Sequence, residues 1–595
     1  MVPSFPLLIA SVLVLCATPA VAQDAARPSP PTPAVANYVA YTLVVDGPDP
    51  PAAALRQGLD LVRWQADEEM TPDLLERLVR DALPQARTIA AIEGFYDAVI
   101  DVSLDRNVSP IEVRVKVEPG PRTRVGSVAI DVTGPATHAT SPGPGAADRV
   151  RERFLLRPGD AFRQADWIEA KNAVVREMRR TPYAAASLTA SEARVDPGSA
   201  RADLALTLDS GPPFRFGPIA VQGTKRYPAS LVENFSTLER GAPHDEAEID
   251  TYVRRLAGSG YFGSVQASID IDSANPDDAT VRVAVIEAPT HHVEGSISFS
   301  TDTRYGGRVS YTNINLDDEG LQMRLDLRLE DKLQYLGAIF TRPPTSRGWL
   351  DRYAVVAKRD DFQNTVQTTA AISAERRGID ERNQPIFAAS YFFDREEPEG
   401  ADDVSTQALY LEAGYILRRA DDLLSPKRGY MLEARAGVGV PGASTDGFLR
   451  GTVRSIGWYP IDRVTGLTLR ADAGAVFGAP RDSVPSILLF RTGGDTTVRG
   501  YEFESLGVPL GDAIVGGRYY ALASVEVVRW INALWGIAAF VDVGDAADSI
   551  GDLSPAIGVG IGARLATPIG PFRLDVAYGE ETRKVRIHFS VGLSF

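Results

Sequence analysis

Strict alternation over the last thirteen residues, Arg583 to Phe595 (RKVRIHFSVGLSF), constrains this chain more than any other feature. Every odd position from 585 to 595 is Val, Ile, Phe, Val, Leu or Phe, while the even positions are Lys584, Arg586, His588, Ser590, Gly592 and Ser594. A period of two sends these sets to opposite faces of a strand, so one face meets an apolar medium and the other a polar one. Earlier segments follow the same rule. Phe572, Leu574, Val576 and Tyr578 oppose Arg573, Asp575, Ala577 and Gly579. Ile557, Val559, Ile561, Ala563 and Leu565 oppose Gly558, Gly560 and Gly562, whose missing side chains leave an inner wall smooth enough to receive something in the lumen. From His291 onward helical periodicity is gone, and alternating segments lie between turns rich in Gly, Asp and Pro. Such segments of roughly 10 residues are the pattern of a transmembrane β-barrel, and about 14 to 16 of them can be counted against an even-number rule.

One connection does not fit a short turn. Between the strands expected near Gly466 to Phe477 and near Gly517 to Trp530 runs a long segment containing RTGGDTTVRGYEFESLG. Long connections without secondary structure of their own are usually functional or disordered. This one carries Phe490, Tyr501, Phe503 and Leu506 beside Arg491, Asp495, Arg499, Glu502 and Glu504, too apolar for a free coil, so it is expected to fold inward. An arginine in a partly dry lumen requires a carboxylate, and a planar guanidinium favours a two-pronged contact. Parity nominates the partner. In GIAAFVDVGDA, Ile537, Ala539, Val541 and Val543 take the lipid side, which leaves Asp542 inside with Phe540 and Gly544. In RYYALASVEVVRW the same rule puts Glu526 inside with Ser524. Asp542 is the first choice and Glu526 the second.

The residues before the barrel repeat three times. Short strands are expected at Tyr41 to Gly47, Gly126 to Gly134 and Gly217 to Gly223, and alternating strands closed by an acidic residue and proline at Ile111 to Pro121, Ala202 to Pro213 and Ala279 to Pro289. Helical patterns lie between, as where Thr71 and Pro72 open a segment whose apolar face is Leu74, Leu75, Leu78, Val79 and Leu83. Each unit then takes an aromatic step, Gly94-Phe95-Tyr96, Thr181-Pro182-Tyr183 or Gly260-Tyr261-Phe262. The order is strand, helix, helix, strand, strand. A period of roughly 75 to 90 residues is too long for a solenoid, so these read as small tandem domains.

Residues 6 to 16 (PLLIASVLVLC) and the small residues Ala20 and Ala22 read as a signal peptide over 1–22, although no basic residue precedes the apolar run. A proline-rich linker, 23–37, follows. Domains are expected at 38–121, 122–213, 214–289 and 290–595. The single cysteine, Cys16, lies in the leader, which excludes disulfides and thiol chemistry from the mature chain. No later stretch approaches the ~20 apolar residues of a membrane helix. A net charge of -16 argues against a nucleic-acid partner. Enzyme motifs fail in context. Gly437-Val438-Gly439-Val440-Pro441-Gly442 matches a dinucleotide glycine pattern, but Pro441 and the lack of a following helix make it a hairpin turn. His291-His292 and His244 lack a third ligand at metal spacing and read as solvated surface. No cofactor, metal site or catalytic residue is expected.

The quoted features together resemble the outer-membrane BamA/TamA superfamily. They are Val498-Arg499-Gly500-Tyr501, Phe540-x-Asp542-x-Gly544, Asp422-Leu423-Leu424-Ser425-Pro426-Lys427-Arg428-Gly429, the terminal Phe595 and the three repeats, which resemble POTRA domains. The resemblance is strongest to the TamA branch, with three such domains. It implies βααββ POTRA-like repeats followed by a 16-stranded antiparallel transmembrane β-barrel in a Gram-negative outer membrane, with the repeats in the periplasm. It implies an inward arginine loop, a C-terminal assembly signal at Phe589, Val591, Gly592, Leu593 and Phe595, and a weakly paired lateral gate between Val293 to Thr303 and Val585 to Phe595. The implied activity is insertion or translocation of β-barrel and autotransporter clients. The implied partners are a TamB-like, inner-membrane-anchored tether protein, unfolded outer-membrane clients and outer-membrane lipid. Edge strands of the repeats would accept client strands by β-augmentation. Tyr501, where many relatives have phenylalanine, is expected to be a neutral change. The alternative is an exporter passing one secreted partner through the pore, and a hydrolase carried on a barrel is a remote third.

Overall fold

The computed structural model describes residues 38–595 apart from 68, 139–144, 181, 273, 301–303, 423–424, 568–569 and 592–595. The expected leader and linker, and Gly592, Leu593 and Phe595 of the terminal signal, lie outside the described residues. The chain forms two compact units, one built on residues up to 131 with 151–174 and 188–208, the other on 132–150, 175–187 and 209–595.

Three small sheets precede the barrel, and in each the third strand lies between the first and second. In the first, Tyr41–Asp46 runs parallel to Ile111–Glu118, and Val99–Asp105 runs antiparallel to it. A parallel pair demands a crossover, which helices Pro51–Gly58, Asp60–Arg63 and Pro72–Ile92 supply. Val113, Val115 and Val117 alternate inward against Leu75, Ala82, Ala86 and Ala90 of the long helix. As the sequence predicts, Thr71 caps that helix, its hydroxyl oxygen accepting from the Leu74 amide at 3.3 Å. The second sheet comprises Arg124–Thr133, Ser187–Asp196 and Arg201–Asp209.

The third repeat keeps the order, with Phe216–Gln222 parallel and Phe262–Ile269 antiparallel to Ala279–Glu287. Gly260 takes φ +82°, the left-handed region open to glycine, and so turns Tyr261 and Phe262 into the core beside Tyr252 and Val283. His244 departs from expectation here. It is buried rather than solvated, with its ring 5.7 Å from Phe216 in an edge arrangement, and burial pushes its imidazole pKa down. Asp245, next to it, caps helix Glu246–Gly258, which draws the preceding residue under the helix. This repeat also meets the barrel directly. Gln322 Nε2 donates to the Ser259 carbonyl at 2.7 Å, Asn234 Nδ2 to the Pro344 carbonyl at 2.9 Å, and Arg382 pairs with Glu248 at 2.7 Å.

Sixteen antiparallel strands follow in chain order, from His291–Ser300 to Lys584–Val591, with lengths from 8 residues to the 17 of Val404–Ala420. The α+β repeats and the 16-stranded barrel are thus those the alternation and the resemblance imply. Outward residues such as Ile561, Val585 and Ile587 are more than half exposed because hydrocarbon, not protein, is their solvent. Their inward neighbours carry charge: Asp326, Glu330, Asp360, Asp394 and Asp472 are all buried. Among the described residues no ladder joins the first strand to the last. His291 and His292 begin the first strand, and both are exposed.

Candidate functional site

The segment from Gly478 to Arg518 interrupts what is otherwise a hairpin, since Thr465–Phe477 and Tyr519–Trp530 pair from Thr465↔Arg529 to Ala475↔Tyr519. It folds into the barrel. It carries its own small hairpin, Val508–Leu510 with Ala513–Val515, and is bonded to the walls along its length. Gln363 Nε2 donates to the Phe503 carbonyl at 2.8 Å, Asp394 accepts from the Ser486 amide at 2.8 Å, and Arg481 pairs with Glu396 at 3.0 Å. Val498 and Tyr501 are fully buried with Leu522 and Ala556, which seats the motif between them.

Arg499 Nε and Nη2 donate to the two carboxylate oxygens of Asp542 at 2.7 and 2.9 Å, the bidentate geometry that guanidinium and carboxylate favour. The Arg499 backbone amide donates to the same carboxylate at 3.1 Å. Nη1 reaches Glu526 at 2.7 Å and Asp575 at 3.1 Å. The guanidinium also lies over the Phe540 ring, 3.3 Å from its centroid, so a cation-π contact covers one face. Asp542 is 0% exposed and is steadied by the Ser524 hydroxyl, which donates at 2.6 Å. Both carboxylates nominated by parity therefore meet Arg499, and a third joins them.

A second guanidinium completes the cluster. Arg564 bonds to Glu526 at 2.7 Å and to Asp575, so those two carboxylates each bridge both arginines. Two positive and three negative groups share one buried site, and no charge in it stands alone. Strand register explains the convergence. Ser524 pairs with Asp542, Asp542 with Gly558, Phe540 with Gly560, Gly562 with Asp575, and Asp575 with His588. These are successive inward positions across five neighbouring strands. Asp575, Arg564 and His588 were not nominated from sequence, although parity puts each on the inward face.

The loop main chain passes over Gly558, and inward side chains of the barrel wall fill the space above Gly560 and Gly562. A Cβ at Gly558 would collide with the Arg499 carbonyl, one at Gly560 with the Phe540 ring, and one at Gly562 with the Asp575 carboxylate. Gly500 has φ +96° and lies against the backbone of Tyr578 and Gly579, a conformation and a proximity that only glycine combines. The Tyr501 hydroxyl donates to the Ile557 carbonyl at 3.1 Å and accepts from the Glu581 amide at 3.2 Å, so it has work that phenylalanine could not do. Of the residues nominated for the terminal signal, Phe589 faces outward and Val591 ends the last strand. In the Asp422 to Gly429 motif, the Asp421 carboxylate accepts from the amides of Lys427 and Arg428, while Leu423 and Leu424 lie outside the described residues. Among the described residues no group of three His, Cys, Asp or Glu is arranged to hold a metal.

Comparison with known proteins matches residues 286–595 to the Omp85 superfamily domain and residues 214–287 to a POTRA family described as surface antigen variable number repeat. The chain is 21% identical over 476 residues to the outer membrane protein assembly factor BamA of Neisseria meningitidis serogroup B, covering 73% of this chain and 58% of that protein. It is 23% identical over 407 residues to the protein of the same name from Nitratidesulfovibrio vulgaris, covering 63% and 51%. The chain thus spans little more than half the length of these relatives. Its fold is similar to BamA from Haemophilus ducreyi lacking POTRA domains 1–3, with a TM-score of 0.51 at 14% identity over 79% of this chain and 99% of the other.

Proposed function

Because this chain belongs to the Omp85 superfamily, with its barrel in the Gram-negative outer membrane and its POTRA domains in the periplasm, we propose that it is an assembly factor of the TamA kind. In this reading it inserts or translocates β-barrel and autotransporter clients through a lateral gate between its first and last strands. The observation that carries the reading is the docked loop. Its bonds reach from Gln363 and Thr365 on one wall to His588 on the last strand, so the lumen is occupied by the protein's own chain. A client threading the pore would have to break all of these bonds, whereas one pairing at the seam would disturb at most the bond on the last strand.

The mechanism is physical and involves no covalent step. Opening the seam exposes strand edges to hydrocarbon, where each unpaired backbone group costs several kcal/mol. A client hairpin pairing with those edges offsets that cost, and no nucleotide is required. Arg499 with Asp542, Glu526 and Asp575 acts as the latch that keeps the loop, and with it the barrel, in the working form. The POTRA edge strands receive clients and an inner-membrane-anchored tether of the TamB kind. The test is surface display of an autotransporter in cells whose only copy carries Arg499→Ala. Display should fall sharply at normal barrel levels, and crosslinking of the full chain should recover a long inner-membrane-anchored protein. Undiminished display at normal barrel levels sinks the latch, and recovery of one secreted partner caught in the lumen would favour the exporter.

A further inference from the structure

The terminal strand, Lys584–Val591, holds the loop as well as ending the sheet. Its inward residues Arg586 and His588 are two apart, and they bond to Glu502 and Gly500, also two apart, in reversed order. The Gly500 amide donates to His588 Nε2 at 2.9 Å, and Arg586 Nη2 pairs with the Glu502 carboxylate. Two rungs at the repeat of a strand face fix both the position and the direction of the loop segment. The first rung is buried, with His588 at 4% exposure, while Glu502 is half-exposed, so the histidine carries the larger share. Among the described residues His588 Nδ1 has no hydrogen-bond partner, which leaves the Gly500 bond to orient the ring. Charges facing the imidazole are Asp495 and Arg499 from the loop, Asp575 from the adjacent strand and Arg586 from its own.

We infer that His588, seconded by Arg586, is a positioning residue that ties the arginine loop to the terminal strand, so that displacing that strand and releasing the loop are one event. The inference rests on the gate reading above and adds what the latch is attached to. Gly500 follows Arg499 directly, so withdrawing His588 removes the anchor next to the charge cluster. Gly500 cannot slide to a new partner, because its backbone is already packed against Tyr578 and Gly579 of the neighbouring strand.

Trypsin cleavage after Arg499, read by fragment mass on the full chain in outer-membrane vesicles, tests this. His588→Leu should be cut about tenfold faster than the parent, or more, because a buried amide loses its acceptor. His588→Gln, whose amide oxygen accepts the same bond, should restore protection. Arg586→Glu should raise cleavage, and adding Glu502→Arg should reverse the rise. Unchanged heat-modifiable mobility shows that each barrel is folded, and if His588→Leu fails to accumulate the charge swap decides alone. Cleavage of His588→Leu no faster than the parent, or a glutamine variant as fast as the leucine one, overturns the tie whatever happens to clients. Faster cleavage with normal client display leaves the tie standing and removes the claim that the docked loop holds the barrel in its working form.

Discussion

Removing Arg499 should release the motif far more than removing any one of its partners. Arg499 makes four side-chain bonds to three carboxylates, and its loss would leave Glu526 and Asp575 paired with Arg564 but Asp542, among the described residues, with no more than the Ser524 hydroxyl and the backbone amide at position 499. Asp542 is fully buried and Arg499 nearly so, so the surface-pair scale does not apply. Removing one partner of a buried pair costs roughly 3–5 kcal/mol. At about 1.4 kcal/mol per tenfold, that is roughly two to three and a half orders of magnitude in the opening equilibrium. Asp542→Ala leaves Arg499 with Glu526 and Asp575, and so should cost less, about 1.5–3 kcal/mol. Cys16 is the one native cysteine, so Val498→Cys in a Cys16→Ser background supplies a single reporter thiol at a buried position. Its maleimide labelling rate in membranes measures how often the loop lifts. Arg499→Ala and Asp542→Ala should each accelerate labelling, the first more, and the double variant should barely exceed Arg499→Ala because the two residues share one interaction. Acceleration below about threefold for Arg499→Ala, or fully multiplicative effects in the double variant, would refute the coupling energy argued here.

Gly558→Ala should lift the loop without altering any charge, since its new methyl meets the Arg499 carbonyl; overpacking against backbone costs about 1–3 kcal/mol, and labelling at Val498→Cys as slow as in the parent would count against the close approach. Tyr501→Phe should lose two bonds, destabilising the docked loop by about 1–2 kcal/mol and accelerating the same labelling several-fold, with an unchanged rate restoring the view that the hydroxyl is idle. Acid should loosen the third POTRA domain in two steps. Burial holds the folded His244 pKa below its ordinary 6.5, so the stability it contributes is full above that pH and is lost as the pH falls through it. Burial alone would raise Glu287, but its bonds to Arg226 and to the amides of Lys225, Arg226 and Tyr227 outweigh this and bring it down to about 2 from 4.5, so its contribution is lost between those values. Hydrogen-exchange protection across 216–287, measured against the intrinsic rate at each pH, should fall in both windows, and His244→Phe should abolish the upper step.

The barrel was legible because its signal is local. A strand exposed to hydrocarbon on one side must alternate, and residues 583 to 591 show it whatever their neighbours do. The same parity put Asp542, Glu526 and Asp575 on the face away from lipid, and carried two residues past Gly562 it reaches Arg564 as well. The repeats were legible through capping at Thr71 and the aromatic step after Gly260. His244 was misread because its burial comes from Phe216, a strand away, and nothing in its own neighbourhood announces that.

By itself, then, the sequence determined which elements form, which face of each strand is polar and that Arg499 requires an inward carboxylate. Alternation and capping are properties of a few consecutive residues, and the two solvents on either side of the wall enforce them. Tertiary structure alone decided that Asp575 and Arg564 join the cluster, that the loop backbone runs over Gly558, and that His588 takes the Gly500 amide. Those neighbours are set by the stagger between strands and by the path of the loop, which bring together residues up to 88 positions apart. No local pattern encodes that distance.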